Sequence, residues 1–396
     1  MDLYKQALAD PSPVYAETSS AACRSSGFPS QVSIDLDAVA ANVRSIKALV
    51  GDTVSLMAVV KANAYGHGAP QVARVAMENG ADLLAVACLE EALELRRAGI
   101  GAPILTLSFV PADAVASAIA LDLTVAIFDL EQARRYQSAA SGIGGALSAH
   151  LKIDTGMGRL GVLPGDALAL CQQVAELPAI SLEGIYTHFS SADASSRFTA
   201  EQLSRFCDSL AQLEHQGFRF KHVHAANSAA LLTEPASRFN LVRPGLSIYG
   251  LNPLGAGQGP AWLKPAMSWK TTIAQVKTLP AGSFVGYGNT YRTRGSETIA
   301  LLPVGYADGL RRAPRRWREV LARGRRAPVI GRISMEKTAI NVSHIPGARA
   351  GDEVVLLGKQ GDDMISAEEI ARWIGSINYE VVTSIAPRLP RDFVCV

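Results

Sequence analysis

Cysteine is scarce and scattered: five residues, Cys23, Cys88, Cys171, Cys207 and Cys395, with no Cys-x-x-Cys pair among them. That spacing excludes a disulfide framework and a cysteine-based zinc site, and free thiols suit a reducing cytoplasm, the compartment expected. No apolar run approaches the roughly 20 residues that span a bilayer, so no membrane association is expected. The first twenty residues carry acids early and lack an apolar stretch, and a secretory signal is not expected either. Excess charge is also missing. Lys and Arg number 38 against 36 Asp and Glu, so no global field points to nucleic acid. The one strongly basic stretch, RRAPRRWREVLARGRR at 311–326, holds eight arginines. It contains no nucleic-acid reading module, and a solvated or interface face is the expectation.

What is present is the balance of a folded chain. Hydrophobic residues make up 48% of the 396 and charged residues 19%, and the length calls for two domains rather than one core. Residues 1–30 read as a polar arm, rich in Pro and Ser. SIDLDAVAANVRSIKALV follows as a short strand running into a helix, with Leu36, Val39, Val43, Ile46 and Leu49 at helical spacing.

From there apolar runs alternate with amphipathic helices: VSLMAVV (54–60), DLLAVA (82–87), ILTLSF (104–109), LTVAIF (123–128), LSAHLKI (147–153), LEGIYT (182–187), KHVHAA (221–226) and LVRPGLSIYG (241–250). Strands apolar along their whole length need cover on both faces, which implies parallel strands with helices outside them. Eight such units in about 220 residues match a closed (β/α)8, TIM-like barrel. The first unit lacks the Gly-rich turn of an open dinucleotide-binding sheet. The expected fold class is therefore α/β, with an N-terminal barrel over 31–260 and a C-terminal, mostly β domain over 261–396. NPLGAGQGPAWLKP marks the linker, and ISAEEIARWIGSIN is the one helix expected beyond it, opened by a capping box of Ser366 and Glu369.

Ligands of such a barrel bind where its strands end at their carboxyl edge, so the residues after each run are the candidates. Lys61 follows the first run, within VVKANAYGHG, with Tyr65 and His67 after it. An amine set against buried aliphatics loses basicity and can condense with a carbonyl. Asp154 and Arg159 follow the fifth run, His188 the sixth, Asn227 and Ser228 the seventh, while Arg243 and Gly245 lie in the eighth. Each has a plain alternative: Asp154 with Arg159 as a structural pair, His188 as a core histidine, Asn227 with Ser228 as a helix cap. Their recurrence along one rim points to an active site there.

Together these segments resemble the bacterial alanine racemases. AVVKANAYGHG, KIDTGMGRLG, THFSSAD, HAANSAA, LVRPGLSIYG, VGYGNTY, PVGYADG and the block around ISMEK are similar to that family's motifs and keep its order, over about residues 32–391. The resemblance implies pyridoxal 5'-phosphate as cofactor, no metal, a small amino acid as substrate, and a homodimer whose subunits share each active site. It implies that Lys61 holds the cofactor and that Tyr65, Ser228 and the backbone of Gly245 and Leu246 contact its phosphate. His188 would pack on its ring and Arg243 would face the ring nitrogen. Lys61 on the D side and Tyr287 of the partner subunit on the L side would be the two acid/base groups. Arg159, Tyr306 and the backbone of Met335 would line the substrate pocket. Lys152 matches a lysine that many members carry as a carbamate; an ammonium paired with Asp154 is the alternative. The activity implied is interconversion of L- and D-alanine. A racemase for serine or a broader range of amino acids, a decarboxylase of the same barrel class, and a non-catalytic cofactor carrier are the other readings.

Three features depart from the family pattern. Met335, Glu336 and Lys337 stand where Met-Asp-Gln is common, with Lys337 read as solvated. Pro387 replaces a tyrosine that in some members reaches the phosphate, and proline has neither hydroxyl nor N–H to offer there. The polar arm precedes the first strand, and it is expected either to cross to a partner subunit or to be disordered.

Overall fold

The computed structural model describes residues 29–255 and 258–395, so almost all of the polar arm lies outside the described residues. Contacts divide the chain into two units. Of the described residues, the first comprises Ala38–Ala64 and Gly68–Lys264; the second comprises 29–37, Tyr65–His67 and those from Pro265 onward.

The opening strand, β1 (Ser30–Asp35), corrects one expectation. The sequence places it with the barrel, but it pairs antiparallel with β10 (Met267–Thr272) and parallel with β20 (Arg391–Val394) in the second unit. Its side chains give the reason. Val32 and Ile34 are buried between more exposed neighbours, the alternation of a strand with one polar face rather than of a barrel strand covered on both.

In the first unit eight parallel strands close into a barrel, as the fold class requires. They are β2 (Ser55–Val59), β3 (Leu83–Val86), β4 (Ile104–Thr106), β5 (Leu123–Ile127), β6 (Leu147–Lys152), β7 (Ile180–Tyr186), β8 (His222–His224) and β9 (Leu241–Val242). Leu56, Met57, Ala58 and Val59 of β2 are all buried. The helix Ala69–Glu78 buries Val72, Ala73 and Ala76, small side chains that let a helix lie close to its strands. On the helix Leu36–Val50, Asn42 is fully buried and fully used. It donates to the Ile248 and Lys264 carbonyls and accepts the Lys264 N–H, which avoids the cost of an orphaned buried amide.

The eighth run is shorter than expected. Only Leu241–Val242 pairs as strand, and Leu246–Tyr249 turns into a 3-10 helix. Pro244 has no N–H for a ladder, and the amides of Gly245 and Ser247 are spent on a serine instead.

The second unit is mostly β. Its remaining strands are β11 (Gln275–Leu279), β12 (Phe284–Val285), β13 (Tyr291–Arg292), β14 (Glu297–Leu302), β15 (Glu319–Ala322), β16 (Arg325–Ile330), β17 (Thr338–Asn341), β18 (Glu353–Gln360) and β19 (Asp363–Ile365). One ten-stranded sheet runs in the order β11-β14-β17-β16-β15-β18-β10-β1-β20, with β19 on β18; β12 and β13 form a separate pair. Trp269 and Trp317 meet edge to face in the core at 5.6 Å.

Ser366 caps the helix Ala367–Ile374 by accepting the Glu369 N–H. The Glu369 carboxylate leaves the capping box and binds Arg326, which Glu319 and Asp363 also hold. A second helix, Asn378–Thr383, was not expected. The arginine run is largely engaged within the unit. Arg311 pairs with Glu380, Arg323 with Asp352, and Arg312 and Arg316 donate to backbone carbonyls.

Candidate active site

Three strand ends of the barrel stand level. Lys152, Tyr186 and His224 are in register on β6, β7 and β8, and in-register neighbours of a parallel sheet share a face. Tyr186 stacks on His224 with ring centroids 4.8 Å apart, and Lys152 Nζ lies 5.5 Å from the Tyr186 centroid. Arg243, just past β9, closes this layer. It donates to the Thr187 and Ala225 carbonyls at 2.7 and 3.1 Å, to His224 Nδ1 at 2.8 Å and more loosely to His188 Nδ1 at 3.4 Å.

A guanidinium only donates, so His224 must accept at Nδ1 and carry its proton on Nε2. That proton goes to His150 Nδ1 at 2.9 Å. Burial, reinforced by the Arg243 charge, holds the pKa values of His188 and His224 well below the ordinary histidine value. Burial also lowers Arg243 to about 10, which leaves it charged at neutral pH.

Lys61 follows β2 after one residue, Val60, and opens an unusual turn. Ala62, Asn63 and Ala64 have φ 52° and ψ 50°, and Tyr65 has φ 54°. This left-handed region costs roughly 1–2 kcal/mol per non-glycine residue. Asn63 secures the far end of the turn, its carbonyl accepting the Gly68 N–H at 3.0 Å and its Oδ1 the Ala69 N–H at 2.7 Å. Burial lowers the Lys61 pKa, the Arg159 charge lowers it further, and the Glu91 carboxylate opposes both. Lys152 is brought to about 8, by burial first and then by Arg159 and Arg243, with Asp154 in opposition.

Asp154 is not committed to the Arg159 side chain. Its oxygens accept the backbone N–H groups of Gly156, Met157, Gly158 and Arg159. Burial would raise its pKa, but those four donors outweigh it and hold the carboxyl below the usual range. Arg159 is exposed on this loop.

Two buried serines, Ser228 and Ser247, meet beyond β8. Asn227 caps the short helix Ser228–Thr233 through the Ala230 N–H, so the cap expected from sequence is Asn227 alone. Ser228 Oγ accepts the N–H groups of Gly245 at 2.9 Å and Ser247 at 3.2 Å, which leaves its own proton free to be donated. Ser247 Oγ is buried with no hydrogen-bond partner among the described residues.

Tyr65, Tyr287, Tyr306 and Met335 belong to the second unit. Tyr65 is buried beside Tyr379, ring centroids 5.9 Å apart, and burial raises its phenol pKa. Tyr306 and Met335 sit on segments pinned together, with the Tyr306 N–H on the Ser334 carbonyl and the Ala307 N–H on that of Met335. Only glycine fits at 305, since a Cβ there would lie 2.2 Å from the Ser334 oxygen. Tyr287, Tyr306 and Met335 are all exposed, Tyr287 at 66%.

Glu336 pairs with Arg388, which also binds Asp308. Lys337 is exposed and, with Lys277 and Arg332, lines a cavity of about 240 Å³. Pro387 is exposed.

Sequence reasoning missed Tyr186, His224, His150 and Ser247. For Tyr186 and His224 the signal available was a polar-tipped ring near the end of an apolar run, because these two residues close β7 and β8; His150 and Ser247 lie further inside their runs and carry no such signal.

Two family models cover this architecture: one described as "Alanine racemase, N-terminal domain" matches residues 34–253, and one described as "Alanine racemase, C-terminal domain" matches 266–393. The chain is 44% identical over 367 residues to the alanine racemase of Desulfovibrio desulfuricans, covering 92% of this chain and 98% of that one. It is 42% identical over 368 residues to alanine racemase 2 of Caldanaerobacter subterraneus, covering 92% and 95%. Among solved structures it is similar to the Bacillus anthracis alanine racemase with bound L-Ala-P, with TM-score 0.87, 40% identity, and 92% and 95% of the two chains covered. The E. faecalis alanine racemase gives TM-score 0.88 at 36% identity, with 93% and 99% covered.

Proposed function

The chain belongs to the alanine racemase family, and from that premise we propose that Lys61 and Tyr287 are its two acid/base groups. The protein is an enzyme that uses pyridoxal 5'-phosphate to interconvert L- and D-alanine. Its activity is racemisation rather than decarboxylation or cofactor storage. When bound, the cofactor draws electrons from the substrate's Cα and makes its proton removable.

The residues of this chain fit that group. The Ser228 and Ser247 hydroxyls, with the Leu246 N–H and the Tyr65 phenol, suit a phosphate dianion, which supplies the acceptor that the buried Ser247 hydroxyl lacks; the Gly245 N–H is already given to Ser228 Oγ. Arg243, charged and donor-only, offers a ring nitrogen a hydrogen bond without a transferable proton. His188 would pack against the cofactor ring.

Lys61 Nζ exchanges the proton of the D substrate from one face of Cα. Tyr287 Oη of the partner subunit exchanges that of the L substrate from the opposite face, in a homodimer with shared sites. Arg159, Tyr306 and the Met335 N–H orient the substrate carboxylate. The observation that carries this reading is the Lys61 amine at the barrel rim, depressed in pKa by burial and by Arg159. Lys61→Ala is expected to abolish racemisation and covalent cofactor attachment together. A variant that still racemises alanine at the wild-type rate would overturn the reading.

Lys152 is the carbamate site in this proposal. With a pKa of about 8, part of it is a free amine at neutral pH. Reaction with carbon dioxide releases a proton and places an anion among Arg159 and Arg243. A carbamate resonance from enzyme in 13C-bicarbonate, absent in Lys152→Ala and fading on acidification, is the expected outcome.

No helix among the described residues is long and apolar enough to cross a membrane. The free thiols of Cys88, Cys171, Cys207 and Cys395 support the cytoplasm as its compartment.

A further inference from the structure

Glu91 is the third residue of the helix Leu89–Arg97. A glutamate in that position ordinarily turns back to the start of its own helix, and one oxygen does so: Oε2 accepts the Ala87 N–H at 2.7 Å. The other oxygen leaves the helix. Oε1 accepts the Ala62 N–H at 2.6 Å, the first amide after Lys61. One carboxylate therefore ties the segment following β3 to the segment following β2, where the backbone enters its left-handed turn. Such a turn persists only where its surroundings impose it. Asn63 fastens its far end through Gly68 and Ala69, and Glu91 fastens the near end with a charge-assisted bond.

We propose that Glu91 is a positioning residue for Lys61, its carboxylate clamping the Ala62 amide so that the left-handed turn forms and Lys61 Nζ is held at one place on the rim. The proposal rests on the reading that Lys61 carries the cofactor. It also has a consequence that a merely structural cap would not have. Glu91 is the negative charge that favours the Lys61 ammonium, against burial and the opposing charge of Arg159. Removing the charge while keeping the shape makes the amine easier to deprotonate.

The test uses the full chain stripped of cofactor, as wild type, Glu91→Gln and Glu91→Ala. The capture of added pyridoxal 5'-phosphate is followed by absorbance across pH, together with the cofactor dissociation constant. Borohydride trapping and peptide mass mapping then locate the modified lysine. Glu91→Gln, which loses the charge and one of the two acceptors, is expected to shift the capture profile to lower pH. It should also weaken cofactor binding about ten-fold, with Glu91→Ala weaker still. If Glu91→Ala does not fold, Glu91→Gln decides alone. A Glu91→Gln profile superimposed on that of the wild type, with unchanged affinity and Lys61 labelled, would overturn the positioning role and leave the function standing. Label on another lysine would overturn the underlying reading and this proposal with it.

Discussion

Tyr287, Tyr306 and Met335 are large side chains exposed on the single chain, as the proposed sharing of each site between two subunits requires. In the proposed mechanism Tyr287 has no part in holding the cofactor. Tyr287→Phe should therefore bind pyridoxal phosphate normally and lose about 10²–10⁴-fold in turnover. The loss should appear in both directions, since each direction needs one group to remove a proton and the other to return it. Absorbance of the bound cofactor and polarimetry from either enantiomer check this; unchanged turnover would remove the tyrosine from its role. At this scale much of the candidate site was legible, because Lys61, His188, Ser228 and Arg243 all lie at or just beyond strand ends. Tyr186 and His224 were not, because a residue inside an apolar run looks like core until the strands are set side by side.

Between elements, the decisive fit is that of β6 against β7. His150 faces Gly184 across the ladder, and a Cβ on Gly184 would lie 2.6 Å from the imidazole. The histidine cannot move away cheaply, since its Nδ1 holds the His224 proton. Gly184→Ala is expected to destabilise the enzyme by about 1–3 kcal/mol, the usual cost of overpacking, measured as a lower urea midpoint. An unchanged midpoint would mean that the His150 ring yields to the added methyl at no cost. β1 illustrates the limit of reading one element alone. Its alternation of buried Val32 and Ile34 is visible in sequence, but strands more than two hundred residues away, β10 and β20, decide where it pairs.

For the whole molecule the proposal has a stoichiometric consequence. If each site takes Lys61 from one subunit and Tyr287 from the other, a hybrid of Lys61→Ala and Tyr287→Phe chains carries one intact site and one doubly defective site. Random subunit exchange between the two inactive variants should then restore up to about a quarter of wild-type activity. Verified exchange without recovery would show that the sites are not shared.

The sequence by itself determined the kinds of element, the barrel class and the rim on which chemistry is possible, because hydrophobic period and strand-to-loop boundaries are local properties written into short stretches of chain. Only the tertiary structure decided that Lys152, Tyr186 and His224 stand level, that Ser228 gathers two amides from the turn after β9, and that Glu91 reaches the residue beside Lys61. Those contacts depend on the register in which distant strands close the barrel, and no periodicity within a single segment encodes it.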